Sequence, residues 1–247
     1  MSRLVALVRR EFESYVLNPV PWVLTFFFLL LTWFFFALEI SGSRGYPVRV
    51  TYTPVFVSLD FILMFLMPLL TMSSVADERS RNTLETLLTA PVQDWQVILS
   101  KWLGTFLFFV LMLFPTLVYW LVLRHIGEPI GKPDPGPIAT AYFGALLLGG
   151  LYAAIGIFAS SLTENALMSA FLSFFLLIFL IAVGVLPFVQ EASAEWVRLA
   201  ATYLSPHDHF EAFLRGRIET KGLVYFGSTT ALFLFFAVRS LESRKWR

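Results

Sequence analysis

The chain has no cysteine, which excludes disulfide staples, thiolate catalysis and cysteine-ligated metal, and leaves the redox compartment open. It is also poor in charge, with 14% Asp, Glu, Lys and Arg against about 25% in an average soluble domain. Neither sign dominates: the formal net charge is +1, so the clustered basic face that nucleic acid demands is missing. A cleavable signal peptide is not expected either. Glu11 and Glu13 sit in the leader and the apolar run that follows is of full spanning length, so this start reads as retained.

What remains is apolar. Hydrophobic residues make up 57% of the 247, with 27 Phe among them. Since a hydrocarbon core of about 30 Å takes roughly 20 helical residues to cross, the length accommodates about six spans and no large soluble domain. Apolar windows fall at Pro21–Ile40, Pro54–Ala76, Val97–Leu123, Pro137–Leu162, Ala166–Val189 and Leu223–Val238. Each is long enough to satisfy its own backbone hydrogen bonds in lipid, and the ten-residue alternation of a barrel is missing. The expected fold is an all-α membrane protein of one domain, residues 1–247.

An even number of spans puts both termini on one side. Ten of the eighteen Lys and Arg fall on that side, namely Arg3, Arg9, Arg10, Arg79, Arg81, Lys101, Arg239, Arg244, Lys245 and Arg247. The short basic termini therefore point to the cytoplasm. Before the first span, Leu4, Val8, Phe12 and Tyr15 recur at helical spacing, so residues 1–19 read as an interfacial amphipathic helix. A basic leader that merely orients the first span gives the same pattern. Asn18, Pro19 and Pro21 are expected to break the helix before it enters the membrane. The long loop 190–222, expected outside, carries Trp196, Tyr203 and Phe210 among its charges; it either folds in part and dips back or stays solvated.

Charge is concentrated between the second and third windows, at residues 77–91. Asn82 is placed to cap a short helix, Glu85 to complete a capping box, and Pro91 to end it. Leu84, Leu87 and Leu88 make one apolar face. Such a helix suits a groove on another protein, and equally suits packing on its own bundle. Here the residues resemble a family. Glu78, Arg81, Thr83, Leu84, Glu85, Leu87, Leu88 and Pro91 resemble the E-x-x-R-G-T-L-E-x-L-L-x-x-P segment of ABC-2 transporter permeases, with Asn82 where the family commonly has Gly.

The resemblance implies a permease with six spans and cytoplasmic termini, whose segment 77–91 is the short coupling helix. It implies ABC ATPase partners that bind ATP and Mg, a second copy or related permease, and no enzymatic activity in this chain. On that reading Glu78, Arg79, Arg81, Thr83, Leu84, Glu85, Leu87, Leu88 and Pro91 form the ATPase-coupling surface. Ser205–Pro206, His209–Phe210–Glu211, Arg215–Gly216 and Ser240–Leu241–Glu242–Ser243–Arg244 are similar to the gliding-motility-type permeases. The implied seat is a bacterial inner membrane, with lipid and further envelope proteins as neighbours.

Several smaller features carry two readings. Ala145, Gly149 and Ala153 repeat every fourth residue, with Gly156 and Ser160 on a nearby stripe; small residues allow close helix approach, at a dimeric or moving interface or inside one bundle. Asp60 is the only charge in the second window. It either lines a cargo path or lies near enough to the outer end of the span to meet water. His207, Asp208 and His209 tempt a metal reading but lack the helical spacing of zinc motifs, and a structural role after Pro206 is preferred. Gly127, Gly131 and Lys132 miss the phosphate-loop spacing, and Pro133 stands where Ser or Thr is required. A channel or ion-coupled carrier would display ionisable residues in its spans, and they are scarce here. A nontransporting scaffold of an envelope complex stays open as the alternative.

Overall fold

Among the described residues, six helices are long and apolar enough to cross a membrane, at Pro19–Leu38, Val55–Ser80, Asp94–Val122, Pro135–Leu162, Ala166–Gly184 and Thr220–Glu242, one for each window read from the sequence. The computed structural model describes residues 2–42, 53–80, 93–126, 135–189 and 202–243, and among them there is no strand. The elements are α1 (Ser2–Leu17), α2 (Pro19–Gly42), α3 (Thr53–Thr71), α4 (Ala76–Ser80), α5 (Asp94–Leu113), a 3-10 turn (Phe114–Thr116), α6 (Leu117–Ile126), α7 (Pro135–Leu162), α8 (Ala166–Val189), α9 (Pro206–Leu214) and α10 (Thr220–Glu242). The break between α1 and α2 falls at Asn18, whose side-chain oxygen accepts from the backbone N–H of Val20 at 3.1 Å. Pro115 tightens the third span into the 3-10 turn without ending it, and Pro68 lies inside α3.

The fourth span, α7, is the axis of the bundle, packed by α3, α5, α8, α9 and α10. Its small residues make this possible. Ala145 and Ala153 are fully buried, and a side chain built on Gly149 would meet the ring of Phe109 from α5 at 2.1 Å. The stripe read from the sequence thus lies along an interior seam of this bundle, against residues of its own chain. The core around it is apolar and aromatic, running from Phe28 and Phe36 through Met67, Phe108 and Phe109 to Phe210 and Phe226.

Four buried threonines inside the bundle are turned back on the backbone. Thr25, Thr32, Thr71 and Thr105 each donate to the carbonyl four residues earlier, at 2.8–2.9 Å, which removes the cost of an unsatisfied hydroxyl in a dry interior. The outward faces are the reverse of a soluble protein's. Trp22, Phe26, Phe27 and Leu30 on α2, and Phe171, Phe175 and Phe179 on α8, are exposed, a surface that lipid accepts and water does not.

Candidate functional site

The start of the charged segment is built into its own bundle at the end that carries the chain termini. α1 lies along α5, and the contact is close because Gly104 has no side chain: a Cβ there would stand 2.7 Å from that of Glu11. Leu4, Val8, Phe12 and Tyr15 are half-buried while Arg9, Arg10 and Glu13 are exposed, so the amphipathic face expected of α1 is the face it presents to the bundle. Glu11 shares the inward face. That acid reaches Lys101, a third-span residue only 2% exposed, at 3.4 Å. Lys101 also meets Glu78 of α4 at 2.9 Å, and Arg10 stands 3.9 Å from the same carboxylate.

One ammonium therefore ties together three segments that are far apart in sequence: α1, α4 and α5. Two carboxylates around one buried cation satisfy the condition under which a charge tolerates burial, and removal of the cation would leave both acids facing each other. Nearby, Tyr15 shares a hydrogen bond of 2.9 Å with Thr105, and burial pushes its phenol up to about 12. Beside the cluster, the α1–α2 junction and the α3–α4 turn enclose a cavity of about 330 Å³ lined in part by Glu11, Asn18, Ser73, Asp77 and Lys101.

Arg79 is anchored on the other side. Its guanidinium donates to the carbonyl of Ser161 at 2.7 Å and pairs with Glu164 at 3.4 Å. Ser240 of α10 donates to the same carbonyl at 3.1 Å, so the end of the fourth span receives both the charged segment and the last helix. Ser160 holds the turn before α4: its hydroxyl accepts from the N–H groups of Val75 and Ala76, both at 3.0 Å, and donates to Met72 at 3.1 Å. These contacts satisfy backbone donors that begin α4.

Of the residues that the sequence reading placed on the coupling surface, Glu78 pairs with Lys101, and Arg79 with Glu164 and the Ser161 carbonyl, within this bundle. They anchor the segment at its base. Arg81, Asn82, Thr83, Leu84, Glu85, Leu87, Leu88 and Pro91 lie outside the described residues. Lys101 was read from the sequence only as one more positive charge on the side of the termini. The signal that could have marked it was Glu11 at the spacing of the apolar face of α1.

The opposite end of the bundle holds a second polar site. Asp60 is 6% exposed and does not meet water at the end of its span. Tyr152 of α7 donates to its Oδ1 at 2.8 Å, and Nδ1 of His207 lies 2.8 Å from its Oδ2. Both carboxylate oxygens are thus partnered by side chains of this chain. His207 belongs to α9, which the sequence reading left between a folded and a solvated loop and which is folded. Ser205 caps it by accepting from the N–H of Asp208 at 3.3 Å, with Pro206 at its first position, and Gly216 ends it at φ 78°. His209 turns elsewhere, stacking on Tyr225 with centroids 4.3 Å apart and touching the Tyr203 carbonyl at 3.0 Å. Among the described residues no three His, Asp or Glu converge as a metal site.

A search of the curated proteins finds no match. The sequence pattern of the ABC-2 family transporter proteins, in contrast, matches residues 42–238, which take in the charged segment, Lys101, Asp60, α9 and five of the six spans. With a multi-pass bundle of spanning helices, the chain belongs to the ABC-2 family of transporter proteins and is a membrane permease component.

Proposed function

We propose that this permease is the membrane half of an ATP-driven exporter, in which separate ABC ATPase subunits bind ATP and Mg and drive the bundle through the segment 77–91. The observation that carries the reading is Lys101, which joins the base of that segment to α1 and the third span through Glu78 at 2.9 Å and Glu11 at 3.4 Å. A push on the segment is then delivered to three packed elements at once, as coupling requires of any contact whose free energy differs between two transport states. Arg81, Glu85, Leu87 and Leu88 make the ATPase contact, with the leucines burying apolar area and the charges setting register.

The same reading places both termini in the cytoplasm of a bacterial inner membrane, pairs the chain with a second permease, and assigns it to the gliding-motility-type subgroup. The test is purification from the native membrane in mild detergent. A stoichiometric ATPase should copurify and should be lost on replacing Leu87 and Leu88 by Ala. A stable complex without ATPase activity would instead favour an envelope scaffold.

A further inference from the structure

Asp60 poses a question that transport coupling does not answer. An acid at a buried position in an apolar span is costly unless its charge is balanced or its lone pairs are filled. Tyr152 fills one side and is itself fully buried. The other side is filled by His207, whose side chain is 44% exposed on the charged connection between the fifth and sixth spans, so its proton exchanges with the medium while its partner is shielded. Thus one member of the pair is shielded and the other samples the medium.

We propose that His207, Asp60 and Tyr152 form a proton-sensitive latch that fastens α9 to the second and fourth spans, tight while His207 carries its proton and loosened when it does not. The neutral ring can still donate from Nδ1, so deprotonation keeps a hydrogen bond but removes the positive charge that balances Asp60. α3 presents Asp60 and α7 presents Tyr152, α9 itself adds Asp208 and Glu211, and α10 adds Tyr225 beyond Tyr152. α8 has no titratable residue in its sequence.

The hydrogen bond to Asp60 is the main cause that raises His207 above the usual 6.5, and Asp208 and Glu211 act in the same direction against partial burial. A group raised in the folded state contributes its stability in full below about 6.5 and loses it as pH climbs through the raised value. The other fastenings of α9 do not depend on His207. Thr140 donates to the Phe213 carbonyl at 2.9 Å, Tyr225 donates to the Leu204 carbonyl at 2.7 Å, and Phe213 packs where Gly144 leaves room. The helix therefore loosens on deprotonation without leaving its seat.

The experiment is amide hydrogen exchange of the full chain in lipid nanodiscs between about pH 5.5 and about pH 8.5, corrected for intrinsic exchange and read on α9 against α7. Protection of α9 should fall severalfold as pH rises, with α7 unchanged. His207→Gln keeps a donor facing Asp60 but cannot titrate, and should flatten the profile; His209→Gln should leave the dependence in place. A flat profile in the wild type overturns the latch whether or not any variant folds. So does a dependence that persists in His207→Gln or that disappears only in His209→Gln, which would assign it to the stack on Tyr225.

Discussion

The two ends of the bundle bury charge in different ways. At the end carrying the termini, a cation is surrounded by acids from two other elements, and Arg79 spans a carbonyl and a carboxylate. At the other end a single acid is held by a phenol and an imidazole. The first arrangement is a joint that fixes three segments relative to one another, and its cation has no small neutral substitute. The second is a clasp with one neutral and one titratable jaw. This difference predicts unequal responses to losing a single partner.

The largest effect is expected at Lys101. Replacing it with Met keeps the length of the side chain but leaves Glu11 and Glu78 without the cation they share, a loss of about 3–5 kcal/mol for breaking a buried pair. Thermal unfolding in detergent should show a large fall in midpoint, and Glu78→Gln added to Lys101→Met should recover part of it. A small effect would mean that the acids reach solvent, and the contrast between the ends would collapse.

Tyr152→Phe should cost less. It removes one hydrogen bond to a charged group, about 1.5–3 kcal/mol, while His207 stays on the opposite oxygen of Asp60. The same unfolding measurement should rank this variant well above Lys101→Met. If it unfolds more readily, the clasp and not the joint is the main electrostatic support of the bundle.

How much of this was legible beforehand follows from the range of each interaction. The six spans, the break at Asn18 and the apolar face of α1 all depend on patterns within a few residues, and sequence periodicity reports those directly. The small stripe of α7 was legible as a stripe but not as to its occupant, because spacing does not tell whether a ring from the same chain or a second copy fills it. Phe109 fills it. The pairs Lys101–Glu11 and His207–Asp60 join residues 90 and 147 positions apart, and no local signal links a lone Lys, a lone Asp and a His in a loop. His207 and His209 follow the same rule, since two neighbouring imidazoles on one short helix are drawn to partners on different helices.

The smallest effect on stability is expected at Glu85, and it separates anchoring from contact within one segment. Glu78 and Glu85 are the same residue type seven positions apart, but Glu78 faces Lys101 at 2.9 Å, whereas Glu85 is proposed to meet an ATPase subunit. Glu85→Lys should shift unfolding by no more than about 0.5 kcal/mol, the usual range for a surface change, while uncoupling ATP hydrolysis from transport in vesicles that contain both subunits. Glu78→Lys should do the reverse first, bringing a second cation against Lys101 and lowering the unfolding midpoint before any question of coupling arises. If both variants unfold alike, the segment is one structural unit fastened along its length, and the joint at Lys101 extends further than Glu78. If neither variant affects coupling, the segment is not the part of this permease on which an ATPase acts.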